Sequence, residues 1–296
     1  MTSAKMWFGT EEHMRWIPCP VRGASVGPES WGVGGTLLSG GGFVKHSQGS
    51  ARKYVFEWRS SSSRATAQTV HDFRDGVYGR GLIYFHDPLT YDTNVLPKQW
   101  AFPGLSIGRR DNPFLWGTVL SGISTPAGAA GLPVESALVP LPAGATGMDN
   151  RNAVFVPIPP GFDLRLAAWY YSGVSTAGVY ASPVGHAGGV GEGERVPASA
   201  PSTARPVGSV FSSDTLRGVW VHVSKTSSEA ATVSLYGMRA ILYPKSRPVG
   251  AVDGWMGGQG HSGCRFEGNP TYVNNTGVGG GQVSFAATFR EVGDWL

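Results

Sequence analysis

Charge is what this chain has least of. Asp, Glu, Lys and Arg make up 15% of its 296 residues, against a usual share of about 25%. Two readings of that scarcity stay open: a surface largely covered by partners, or a plain surface of Gly, Ser and Thr. The net charge is +4, and the 24 basic residues are scattered, with no run longer than Arg109-Arg110. No nucleic-acid stripe is present and no nucleic-acid partner is expected. Cysteine is almost absent. Cys19 and Cys264 cannot make a disulfide framework. They pair only if distant parts of the chain meet; reduced, buried thiols are the expectation. No stretch of about 18 apolar residues exists, so no membrane-spanning helix is expected. The opening MTSAKMWFGTEEHMRW lacks the apolar run of a secretory leader, so cytoplasmic synthesis and assembly are expected.

Catalytic motifs are missing too. GVGGTLLSGGG (32–42) is glycine-rich but has no Lys-Ser/Thr to grip phosphate, and reads as turn glycines. Gly260-His261-Ser262-Gly263-Cys264 sets a His near a Cys. A nucleophile pair needs spatial contact and an orienting third group, so a turn with a buried thiol is the simpler reading. His86-Asp87 lacks the further ligands of a metal site, and Asp87 before Pro88 reads as a turn former. None of the 20 acidic residues forms a suggestive pair. No enzyme, cofactor or metal is expected.

What the chain has is glycine, proline and short apolar segments. Forty-four glycines and 21 prolines occur without a Gly-X-Y period, which implies many short elements joined by turns. Hydrophobic residues reach 41%, enough for a core. Phe43 to Ser47 reads as a strand before a Gly-Ser turn. Tyr54, Phe56 and Trp58 then alternate as the inward face of another strand. A helix is expected at 62–75, capped by one of Ser61 to Ser63, with Ala67, Val70 and Phe73 inward and Gly76 as its stop. Further strands are expected at Ala153–Ile158, Leu164–Tyr171 and Leu216–Ser224. The last of these puts Val219, Val221 and Val223 on one face. Ala231 to Tyr243 reads as a strand pair. Gly281 to Glu291 puts Val283, Phe285, Ala287 and Phe289 on one face. The expected fold is mainly β: an N-terminal β-sandwich with one flanking helix, then a jelly-roll or galectin-like β-sandwich. The expected domains are 1–118, then 119–250 with a mobile loop at 185–209. Residues 251–296 return as strands to one or the other.

Two aromatic segments are candidates for contact. Residues 78–103 run from a short strand into an irregular stretch holding Tyr91, Trp100 and Phe102. That stretch is too aromatic for a solvated linker, so these three are read as an arm at a subunit boundary. Trp169, Tyr170 and Tyr171 could form a ring platform for sugar, although alternation sends Tyr170 opposite to the other two. Core packing is the competing reading for the trio.

Several fragments in order carry a resemblance. They are Met14 to Pro20 (MRWIPCP), Trp31-Gly32, Val44 with Ser47, Tyr54 to Trp58, the helix with its Asp75-Gly76 stop, Gly81 to Pro88 (GLIYFHDP), Asn94 to Pro97 and Trp100-Ala101. Arg290 to Trp295 (REVGDW) adds to them. Over its first 103 residues the chain resembles distal tail proteins, or related minor tail proteins, of long-tailed phages, especially those infecting actinobacteria. The resemblance implies a virion protein of the tail tip. It implies a ring, sixfold in the usual case, built by the first domain between the tail tube protein and the tip or hub proteins. The second domain would decorate the ring and support adsorption. Two other functions stand beside it: a peripheral minor tail protein binding host-surface glycan through its middle domain, and a tail enzyme degrading cell wall.

Overall fold

The computed structural model describes residues 5–20, 25–36, 43–60, 63–86, 93–103, 131–132, 137–144, 146, 153–247, 253–260, 263–275 and 282–291. In chain order these form β1 (Lys5–Gly9), β2 (Met14–Pro18), β3 (Ser25–Thr36), β4 (Phe43–Ser60), α1 (Ser63–Arg74), β5 (Tyr84–His86), β6 (Asn94–Pro97) and α2 (Lys98–Ala101). Next come β7 (Ala137–Leu141), β8 (Ala153–Pro157), β9 (Phe162–Ser172), β10 (Ala177–Gly185), β11 (Glu194–Arg195), β12 (Ala198–Ser199), β13 (Ser209–Ser212), β14 (Leu216–Lys225) and β15 (Ala231–Pro244). The last are β16 (Gly258–Gly260), β17 (Cys264–Phe266), β18 (Thr271–Asn275) and β19 (Gln282–Glu291). The chain is mainly β, as its alternating segments predict.

Two compact units result, and they are nested rather than consecutive. One holds the described residues up to Phe85 and from Gly263 onward; the other holds those from His86 to Gly260. The expected breaks at 118 and 250 therefore give way to one departure after Phe85 and one return at Gly263. Departure and return are tied together. Ile83 and Cys264 form an antiparallel bridge, each N–H donating to the other's carbonyl at 2.8 Å. Gly263 makes that approach possible. Its φ is +110°, and a Cβ there would lie 2.8 Å from Leu82 Cδ1.

The first unit is a β-sandwich with a helix on its core. One sheet runs β2-β1-β5; the other runs β17-β19-β4-β3, with β18 also beside β19. β4 buries Tyr54, Phe56 and Trp58, the period-2 set expected. β19 answers with Phe285, Ala287 and Phe289, also buried; the Val283 side chain is outside the described set. Trp58 is registered opposite Phe285, and their rings stack with centroids 4.5 Å apart at 7°. The Trp58 indole donates to the Pro18 carbonyl at 2.9 Å, satisfying its buried N–H. Helix α1 turns Ala67, Val70 and Phe73 onto this core, and Phe73 meets Phe8 edge-on at 5.4 Å. Its end is a Schellman turn around Gly76 (φ +75°): Val77 N–H donates to Asp72 O at 2.9 Å, and Gly76 N–H to Phe73 O at 3.2 Å.

β4 is one strand of 18 residues, so the expected Gly-Ser turn at Gly49-Ser50 does not occur. It pairs with β19 only over Lys53–Ser60, whereas β3 accompanies it from Phe43 to Val55. Between Phe43 and Arg52 its described partner is β3 alone, a ribbon roughly 30 Å long at ~3.3 Å per residue. Gly32, Gly34 and Gly35 lie inside β3, with a bulge between Trp31 and Gly32, so these glycines are strand residues instead of turn residues. The remaining residues of that motif, 37–42, lie outside the described set.

The second unit is a jelly roll. One sheet runs β7-β15-β9 with β13, and briefly β12, on the free side of β9; the other runs β8-β14-β10-β11. Leaving β12 aside, numbering the strands along the chain gives 1-8-3-6 and 2-7-4-5, the strand order of a jelly roll. Its core is aliphatic. Val154, Val156, Val179, Ala181, Val219, Val221 and Val223 of one sheet face Val139, Leu164, Leu166, Ala168, Val233, Ala240 and Leu242 of the other. The expected strand pair at 231–243 is one strand with a bulge between Leu235 and Gly237. That bulge shifts the inward parity from 233 and 235 to 238, 240 and 242.

The segment 185–209, expected as a mobile loop, carries β11 and β12 and a fully buried Val196. Its backbone is held by core side chains: the Tyr170 hydroxyl donates to Val196 O at 2.7 Å and the Trp169 indole to Thr203 O at 2.9 Å. A Gly/Pro/Ser-rich composition carries no trace of acceptors supplied by its own carbonyls.

Candidate functional site

Residues 93–103 are fastened into the jelly-roll unit. Asn94 is buried and uses its whole amide. Its Nδ2 donates to Met238 O (2.9 Å) and Met256 O (2.8 Å), and its Oδ1 accepts from Leu96 N (3.2 Å) and Ala240 N (3.0 Å). Two residues on, Leu96 enters the aliphatic core, and Trp100 joins it with 0% exposure. The Trp255 indole donates to Ala101 O at 2.8 Å, and half-buried Phe102 meets the Trp255 ring at 6.1 Å. Trp100 thus has no surface left for a neighbouring subunit, and Phe102 already has a partner in its own chain. Tyr91 lies outside the described residues, as do Asp87 and Pro88.

The aromatic trio of β9 is split. Trp169 (0% exposed) packs with Leu132, Ile241 and Tyr243 on the outer side of its sheet, under Trp255. Tyr170 (2%) points into the sandwich, with the Arg195 guanidinium 5.5 Å from its ring centroid. Burial raises the Tyr170 pKa, and Arg195 partly opposes the rise. Tyr171 alone is open, at 65%. Core packing therefore takes two of the three rings, and no platform of three exists.

Among the described residues of this unit, two clusters of titratable groups bear on chemistry. At one end of the sandwich Lys245 pairs with Asp214, lies 3.7 Å from Asp163 and donates to Ser212 Oγ at 2.9 Å. Its hydrogen bond and charge lower the Asp214 pKa. This is a surface clasp between strand ends. On the second sheet, Ser182 Oγ and His222 Nε2 share a hydrogen bond of 3.0 Å, with exposures of 4% and 2%. Burial lowers the His222 pKa to about 4. A Ser–His pair at this distance invites a nucleophile reading. The pair is sealed, however, and His222 Nδ1 has no hydrogen-bond partner to orient the ring, so the arrangement lacks what activates a serine. His261 lies outside the described residues, and Cys264 is buried in the other unit. Among the described residues no group of three or more His, Cys, Asp or Glu could hold a metal ion, and no helix is long and apolar enough to cross a membrane.

No family model matches the chain. No curated protein matches it either. Among solved structures it overlaps the infectious bursal disease virus VP2 subviral particle at 11% identity and a TM-score of 0.26, covering 98% of this chain and 77% of that one. It overlaps the infectious bursal disease virus Gt strain structure at 11% identity and a TM-score of 0.20, covering 98% and 66%. Overlaps this low carry no argument; the jelly-roll assignment rests on strand order alone.

Sequence reasoning passed over Asn94, Ser182 and His222. Parity held part of the signal: on β14, with Val219, Val221 and Val223 inward, His222 must face the other way. Nothing in the sequence pairs it with Ser182, 40 residues earlier.

Proposed function

We propose that the chain is a structural protein of a phage tail tip, whose first unit assembles with copies of itself into a ring, sixfold in the simplest case. The ring would join the tail tube protein to the tip or hub proteins in the virion, after assembly in the host cytoplasm. The observation that carries the reading is the ordered set of fragments over residues 14–103. It is supported by the architecture those fragments imply, a helix-flanked β-sandwich bearing a jelly roll. The β3–β4 ribbon supports it as well. A two-stranded ribbon is marginal in water by itself, and its open edges are templates for pairing. With Trp100 committed to its own core, the ribbon takes over from the 86–103 arm as the surface offered to a neighbour. A ring uses unlike faces of successive subunits, which suits such an arm. No catalytic step is proposed.

A second reading, host-glycan binding by the jelly roll, keeps Tyr171 as its only open ring from the β9 trio. A glycan array on the full chain and on Tyr171→Ala separates the two, because the structural reading expects no specific binder.

The test of assembly is mass photometry with negative-stain averaging of the full chain, alongside a variant in which residues 31–48 are replaced by a short Gly-Ser turn. A discrete ring that the ribbon variant fails to form is the expected result. A chain that stays monomeric and is also absent from purified virions by mass spectrometry overturns the proposal.

A further inference from the structure

The hydrogen-bonded pair Ser182–His222 lies beneath a glycine-rich segment, and we propose that this segment, 185–193, is a flap that opens when His222 takes up a proton. The sequence GHAGGVGEG follows directly from β10. It folds back on the strand that precedes it: Gly191 N–H donates to Pro183 O at 2.7 Å, and Val190 bridges Val184. It then crosses the pair. A Cβ on Gly193 would lie 3.0 Å from Ser182 Oγ and 3.6 Å from His222 Nε2, so the backbone lies directly against the pair and a side chain there would press on Ser182. Gly188 and Gly189, with φ of +88° and +86°, supply the bend. The tethers are few, as a hinged segment requires.

Neutral His222 fits beneath the flap, because one ring nitrogen bonds Ser182 and the other needs no charge partner. Protonated, it would carry a donor on each nitrogen. Nδ1 already lacks a hydrogen-bond partner, so the second N–H would point at no acceptor. Among the described residues no carboxylate is bonded to the ring to compensate the charge. On β10 the facing groups are Tyr180, stacked 6.0 Å away at 22°, and Ser182. On β8 the registered neighbour is Ala153. On β14, Trp220 and Ser224 flank it. Of the flap's own ionisable side chains, Glu192 is exposed and His186 bonds the Ser213 carbonyl at 2.8 Å. On β11, Glu194 accepts from Ser209 and Arg195 donates to Ala177 O.

The direction follows from linkage. The closed-state pKa is about 4, below the open-state value of about 6.5. Above pH 6.5 both states are neutral and the flap is shut. Between about 6.5 and 4 the open state binds the proton first, so closure weakens as pH falls. Below about 4 this group adds nothing further. Between pH 7.5 and 5.0 the opening equilibrium rises roughly 30-fold from these two values.

The experiment is hydrogen exchange by mass spectrometry on the full chain at pH 7.5 and 5.0, with protection factors corrected for intrinsic rates. Protection across 185–193 is expected to fall by more than tenfold in the wild type and to stay level in His222→Gln, whose amide can bond Ser182 but cannot titrate. Equal falls in both proteins, or no fall in either, overturn the proposal. Should the variant not fold, wild-type exchange read across pH 7.5 to 4 beside NMR titration of the His222 ring decides. Loss of protection across 185–193 that tracks protonation of the ring supports the flap, and protection that stays level through that protonation sinks it.

Discussion

The two units solve the same problem, closing a β-sandwich, with different materials. The first fills its core with rings: Phe8, Tyr54, Phe56, Trp58, Phe73, Phe285 and Phe289. Phe56 alone contacts Trp58 at 5.7 Å, Phe85 at 4.8 Å and Phe289 at 5.3 Å. The jelly roll is filled by Val, Leu and Ala, with a few large rings set among them. Rings bury much area per residue and hold particular angles to one another, so a small core depends on each one. A valine lattice spreads the same burial over many positions, and each position matters less. The aromatic unit has few independent supports, while the jelly roll has many small ones and one polar keystone, Asn94.

Four substitutions probe this contrast, read by calorimetry of the full chain as shifts in separate unfolding transitions. Trp58→Ala should be the most damaging, at about 3–5 kcal/mol. It should lower the transition of the first unit and leave that of the jelly roll in place; a joint shift of both would mean that the units unfold together. Asn94→Ala comes next, since it strands the Leu96 and Ala240 N–H groups and two carbonyls. At about 1–3 kcal/mol for an orphaned buried group, it should weaken the jelly roll as no single valine does. An effect below that of a valine truncation would remove Asn94 from its keystone role. Val221→Ala should cost the jelly roll roughly 1.5–2.5 kcal/mol, and a loss as large as that of Trp58→Ala would erase the contrast between the cores. Tyr171→Ala should change stability by no more than ~0.5 kcal/mol. A larger change would show that the exposed ring is structural after all.

How much of this was legible follows from the range of the interactions. Helix α1, its stop at Gly76 and the inward faces of β4, β14 and β19 could be read because period and turn chemistry are local. The nesting of the units was hidden. It depends on Ile83 meeting Cys264 and on β19 entering beside β4, pairings between residues more than 150 positions apart. Trp100 stands out as an aromatic in irregular chain, but its neighbours are the jelly-roll core of its own chain. What holds it is the Asn94 amide gripping β15, and no local pattern announces a side chain that bonds backbone 144 residues away. The 185–209 segment misled because glycine content marks turns and close approach alike. Over Ser182 and His222, Gly193 serves close approach.

The bridge between Ile83 and Cys264 has a consequence for how such a gene can change. Along the chain the second unit is inserted between those two residues as a cassette whose flanks already touch. A recombination event that swapped residues 86–262 for another module with closely spaced termini would preserve the strand junction and leave the described core of the aromatic sandwich its own residues. The same doorway would admit a shorter loop or a larger module. Descendants of this chain could therefore vary widely in their middle while keeping one constant frame around it.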